Sequence, residues 1–159
     1  MRAEIIGEIR AAHEATGQCA ACGAREIIDT RNLYSTMGWF LVELAALTRE
    51  EGRCFFNFHD VYARLRAKDV ASAGGKDGRS DPTDHGKLAL WGFVERKGSG
   101  RTGLYRITPD GLAFAEGEVS VLSHVDHVDG EIRRYHGEHI YIDDVLKKGR
   151  GDSQAEVQP

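Results

Sequence analysis

Three cysteines, three prolines and no extended apolar run are the scarce features of this 159-residue chain. Each scarcity excludes something. An odd cysteine count argues against a secreted disulfide scaffold and fits a reducing cytoplasm. No apolar run nears the roughly 18 residues that a membrane span needs, which argues against a transmembrane helix. The N-terminal stretch MRAEIIGEIRAAHEA carries Glu4 and Glu8 within its apolar positions. It is therefore expected to form an amphipathic helix and not a signal peptide. Excess positive charge is also missing. The net charge is −4, which argues against a uniformly basic coat for nucleic acid. The chain has no internal repeat, no G-x-S-x-G, no Walker loop and no His-Glu-x-x-His, and no motif places Glu95 or Glu118. An enzyme is not expected, with a small nuclease built from scattered acids and histidines as the remaining catalytic alternative.

What is present suits one globular domain, with 41% hydrophobic and 29% charged residues. The charge is unevenly spread. Residues 76–106 hold seven basic and four acidic side chains, whereas residues 107–159 hold five and eleven. A local basic patch can contact phosphate even in an acidic protein.

Apolar spacing gives the order of elements. Ser35 reads as an N-cap for a helix over 36–49, where Met37, Phe40, Leu41, Leu44 and Leu47 recur at three and four. Cys54-Phe55-Phe56 is a short extended piece. Asn57 with Asp60 resembles a capping box for a second helix over 58–67, with Val61, Tyr62 and Leu65 inward. Residues 68–80, with three glycines, read as a flexible connector. Asp81-Pro82 then opens a third helix over 82–91, with Leu88, Leu90 and Trp91 inward and Thr83, Asp84, His85 and Lys87 outward. Extended runs flank Gly98-Ser-Gly-Arg-Thr-Gly103. Thr108-Pro109 caps a further helix that ends near Gly117. Beyond it, alternating valines, Asp129-Gly130 and Ile140 with Ile142 predict a small antiparallel β unit. The resulting division is an N-terminal segment 1–34, a central domain 35–117, a β unit 118–148 packed on it, and a disordered polar tail 149–159.

The spacing of Gly98 to Gly103 matches a dinucleotide loop, G-x-G-x-x-G. Such a loop must end a strand and open a helix at once, so that helix N–H groups hold the pyrophosphate. Here Leu104 to Ile107 alternate as a strand and the helix cap comes only at Thr108. The motif is therefore expected to be a hairpin tip exposing Ser99, Arg101 and Thr102.

Helix, extended piece, helix, helix, strand, glycine hairpin and strand together resemble a winged helix-turn-helix over residues 35–117. The fold class is thus α+β. DHGKLALWGFVERK, LYRITPDGLAFAEGE, the valine-rich strand and an N-terminal Cys-x-x-Cys are also similar to a family of small winged-helix proteins from bacteria and phages, largely without assigned function. That resemblance implies a fold, an appended β unit and a bacterial or phage source, but no biochemical activity.

In winged-helix proteins the third helix enters the major groove and the wing lies on phosphate or the minor groove. On the winged-helix pattern double-stranded DNA is the expected partner and transcriptional regulation the expected role. Thr83, His85 and Lys87 would face bases or phosphates, while Arg96, Lys97 and Arg101 would meet phosphate. Asp81 and Asp84 oppose this, because they would face phosphate from the same helix. Winged helices also serve as protein-docking modules, so a protein partner is the alternative, and a homodimer stays open.

Cys19 and Cys22, spaced Cys-x-x-Cys before Gly23, have the form of a zinc knuckle, in which two thiolates reach one ion from a tight turn. Cys54, His13 or His59 would have to complete the site. Ordinary thiols near a turn are the simpler account. His124, His127, His136 and His139 form two His-x-x-His pairs. On a strand, positions i and i+3 face opposite ways, so these are expected to be surface histidines of the β unit.

Overall fold

The computed structural model describes residues 27–68, 84–98 and 103–148. The expected N-terminal helix, His13, Cys19 and Cys22 lie outside the described residues. So do most of the connector, Asp81 to Thr83, the hairpin residues Ser99, Arg101 and Thr102, and the tail from residue 149.

The chain folds as a mixed α+β structure around helix α1, Ser35–Glu51. Its apolar stripe is the one the spacing predicts, with Met37, Phe40, Leu41, Leu44 and Leu47 all buried. The helix starts one residue earlier than expected. Tyr34 is the extended N-cap and makes no side-chain cap bond. The Ser35 N–H instead donates to the Lys148 carbonyl at 2.8 Å. A distant backbone group thus satisfies a helix-end donor that a local side chain usually takes. Gly52 ends the helix at φ 65.

Strand β2, Phe56–Asn57, leads into α2, Phe58–Ala67. Asn57 caps α2 as its position predicts, accepting the His59 N–H at 2.9 Å. Val61, Tyr62 and Leu65 bury the inner face. Glu43 of α1 is buried between the two helices. It accepts from Lys68 Nζ at 2.9 Å and from Arg64 Nε at 2.7 Å. Burial raises the pKa of Glu43, but these hydrogen bonds and charges outweigh it and hold the carboxyl below its ordinary value.

The segment expected as a third α-helix is a 3₁₀ helix, Asp84–Trp91. Its buried residues are His85, Leu88 and Trp91, a spacing of three that matches the three-residue turn. This places His85 inward, contrary to the outward position expected for it. The ring is 5% exposed and stacks on Phe40 at 4.8 Å and Phe58 at 4.6 Å between centroids. It also shares a hydrogen bond with the Tyr62 hydroxyl at 3.1 Å. Polarity alone points His85 to solvent, whereas an aromatic box with a hydroxyl suits both its ring and its nitrogen.

Strands β3, Val94–Lys97, and β4, Leu104–Ile107, pair antiparallel on either side of the glycine motif, with Val94 opposite Ile107 and Lys97 opposite Leu104. Strand β2 pairs with the other edge of β4, giving the order β2-β4-β3. Helix α3, Pro109–Ala115, follows with the expected cap. Thr108 Oγ1 accepts the Gly111 N–H at 3.0 Å and donates to the Gly92 carbonyl at 2.6 Å. One threonine thus joins the exit of the 3₁₀ helix to the start of α3.

The second sheet contains β5, Val121–Val128, and β6, Glu131–Ile140. Asp129 and Gly130 link them at φ 51 and 85. Positive φ at both central residues is the hairpin geometry that Asp-Gly favours. A third strand, β1, Asp29–Asn32, lies on the outer side of β5, giving the order β1-β5-β6. Asp-Thr-Arg-Asn has no apolar alternation, so nothing local marks it as a strand. Helix α4, Ile142–Lys147, then packs on α1.

Asp126 joins the three strands. It accepts from Thr30 Oγ1 at 2.7 Å, Arg134 Nε at 2.7 Å and His136 Nε2 at 2.8 Å. Burial raises its pKa, but the bonds from Arg134, Thr30 and His136 outweigh burial and hold the carboxyl well below 3.8. A depressed carboxyl stabilises the fold above the unfolded pKa and loses that contribution as pH falls through the folded one. Asp126→Asn is expected to cost about 2 kcal/mol at neutral pH. It should also flatten the loss of stability below about pH 4. Urea denaturation across that range checks both, and parallel acid limbs in variant and wild type would refute the assignment.

Candidate functional site

The hairpin of the first sheet and the segment before it carry a cluster of cations. Arg96 and Lys97 are exposed on β3, as their sequence positions suggest. The pairing register adds two cations that sequence reasoning missed. Arg106 on β4 lies opposite Glu95 and forms an ion pair with it. Its guanidinium carbon also lies 5.1 Å from the centre of the Phe55 ring, and Lys97 Nζ lies 5.7 Å from the same ring. Next to them, Arg53 Cζ sits 4.6 Å over Phe56. Phe55 is half-buried, so it gives the cations an apolar seat while their heads reach water. The sequence signal for this surface is weak, because Arg53 and Arg106 are far apart in the chain and meet only through strand pairing.

The 3₁₀ helix offers much less to a groove. His85 is core, so it cannot reach a base without opening the aromatic box. The second sheet lies along the helix: Trp91 Nε1 donates to the Leu122 carbonyl at 3.0 Å, and the Tyr135 hydroxyl donates to the Leu90 carbonyl at 2.6 Å. Lys87 is half-buried and faces two hollows between the helix and β1. Of the third-helix residues expected to face bases or phosphates, Thr83 is outside the described residues, His85 is buried and Lys87 faces this junction.

Of the expected metal ligands only Cys54 and His59 lie among the described residues. Cys54 is an exposed free thiol, and exposed His59 stacks on Phe58 at 3.9 Å between centroids. Among the described residues no group of three or more His, Cys, Asp or Glu side chains is arranged to hold a metal ion. In the β unit one histidine pair meets across strands, and it is not one of the His-x-x-His pairs. His124 stacks on His136 at 5.3 Å, while His127 is buried, contrary to the surface position expected for it. No described helix is long and apolar enough to cross a membrane. Comparison with family models, curated proteins and solved structures finds no match to this chain.

Proposed function

We propose that residues 35–117 form a winged helix-turn-helix, and that the protein binds double-stranded DNA through the hairpin surface and not through its third helix. The fold reading is supported by the element order and by a sheet ordered β2-β4-β3, in which the hairpin strand β4 lies between its partner β3 and the short strand before α2. The functional reading rests on one observation: the exposed cations Arg53 and Lys97 and the half-buried Arg106 gather around Phe55 and Phe56, with exposed Arg96 next to Lys97 on β3. Such a surface meets phosphates and carries little base information. With the third helix occupied by the second sheet, binding is weakly dependent on sequence.

The expected result is salt-dependent binding to unrelated duplexes with similar affinities. Removing one cation that meets a phosphate reduces the slope of log affinity against log salt by about 0.9. Arg96→Ala combined with Lys97→Ala should therefore lower the slope by roughly 2. Both side chains are exposed, so the fold should be unaffected. Fluorescence anisotropy with labelled duplexes checks this. Equal slopes for variant and wild type, or no binding by wild type at low salt, would remove the reading.

A docking module is the second reading, and the edge position of β6, unpaired on one side among the described residues, favours it. This ten-residue strand ends the second sheet and has one buried residue, Ile140. An edge strand can add a partner's strand through main-chain hydrogen bonds. Retention of DNA affinity with β6-edge variants would separate the two readings.

A further inference from the structure

The larger hollow beside Lys87 has a volume of about 770 Å³, within the range usual for small-molecule sites. It lies between the 3₁₀ helix, β1 and the β5–β6 turn. One side is apolar. Ile27, Ile28 and Ile132 are 84%, 52% and 37% exposed, and Leu90 lines the cleft beside them. Large aliphatic side chains gathered at one exposed place usually mark an interaction site.

The other side carries buried donors that make no hydrogen bond among the described residues. His127 is 7% exposed, and its Nδ1 accepts the Gly130 N–H at 3.2 Å. The neutral ring therefore carries its proton on Nε2. That buried N–H has no acceptor among the described residues. Asp29 Oδ2 lies 3.4 Å away, close enough for an ion pair with a protonated ring but not placed as a hydrogen-bond acceptor. Arg31 holds that oxygen through Nε at 3.0 Å and Nη2 at 2.8 Å. Lys87 lines the cleft too, and also borders the adjoining hollow of about 130 Å³, where buried Asn32 Nδ2 likewise has no acceptor among the described residues. A buried donor left without a partner costs about 1–3 kcal/mol, so an acceptor, water or ligand, placed beside Lys87 would be stabilising.

We propose that this cleft binds a small hydrophobic carboxylic acid. The carboxylate would accept from His127 Nε2–H and pair with the Lys87 ammonium, while the apolar body lies against Ile27, Ile28, Ile132 and Leu90. An amine is disfavoured, because the Asp29 carboxylate is already neutralised by Arg31 and Asp129 sits on an exposed turn. The site stands apart from the hairpin surface and does not depend on DNA binding.

Decanoate, decylammonium and decanol, each titrated below its aggregation limit into the ¹⁵N-labelled full chain, test the site. Decanoate is expected to saturate and to move the Gly86 and Gly130 amide signals, with decylammonium at least about tenfold weaker. Lys87→Met should weaken decanoate by roughly tenfold and leave decanol unchanged. Ile132→Glu, at an exposed position, should weaken both while the spectrum remains that of a folded protein. Similar affinities for acid and amine, an unaffected Lys87→Met variant, shifts confined to other surfaces, or no saturation would each overturn the proposal.

Discussion

Gly111→Ala is expected to destabilise the protein by about 3 kcal/mol, although alanine is the better helix former by about 1 kcal/mol at an ordinary position. Gly111 is in the first turn of α3, and a β-carbon there would collide with the Phe93 carbonyl oxygen. It would also lie 2.9 Å from the carbonyl carbon and 3.0 Å from Ile107 Cγ1. The carbonyl cannot move aside freely, because it accepts the Thr108 N–H at 2.9 Å. Phe93 itself is buried and stacks on Phe114 at 4.7 Å. Relief of the collision would require α3 to lift from the turn after the 3₁₀ helix, which breaks the Thr108 bonds and loosens the Phe93–Phe114 pair. Since folded domains are stable by only about 5–15 kcal/mol, the loss is large. Thermal and urea unfolding check it, and a variant within about 2 °C of wild type would show that the approach is not tight.

His85→Ala is expected to cost about 3 kcal/mol and to lower the melting temperature by roughly 10 °C. The substitution removes a ring packed against Phe40 and Phe58 and takes a hydrogen-bond partner from the Tyr62 hydroxyl, which is itself fully buried. His85→Phe keeps the stacking and loses the hydrogen bond, so it should cost about 1 kcal/mol. The pair of variants separates the core role of this residue from a base-reading one. A base-reading histidine would give stable variants with altered DNA preference. A core histidine gives an unstable alanine variant and a phenylalanine variant with unchanged binding.

Where a local cap or a strong apolar period is present, the chain announces its structure. The stripe of α1, the Asn57 and Thr108 caps, the Asp129-Gly130 turn and the strands around the glycine motif all depend on neighbours within about four positions of chain, roughly one helical turn. The 3₁₀ helix is harder to read, because Leu88, Leu90 and Trp91 suit an α-helical stripe as well as a period of three. Only the shape of the space beside Phe40 and Phe58 selects between them. Strand β1 is not legible at all, since Asp29 to Asn32 become a strand through pairing with β5. The candidate sites divide in the same way. Arg96 and Lys97 are visible as exposed cations, whereas Arg53, Phe55 and Arg106 form a surface only once β2 pairs with β4.

The glycine motif separates the two levels. The alternation after Gly103 and the cap at Thr108 set its hairpin character, because turns and caps are satisfied by bonds between near neighbours. The mixed α+β class and the order of elements from α1 to β6 follow from the chain alone, for the same local reasons, whereas β1 does not. Which polar residues are hidden was settled by packing. His85, His127, Glu43 and Asp126 are all of a kind that favours water, and each is buried among groups brought from distant parts of the chain. Burial of a polar group depends on whether its hydrogen bonds can be replaced, and those replacements exist only after the elements have packed.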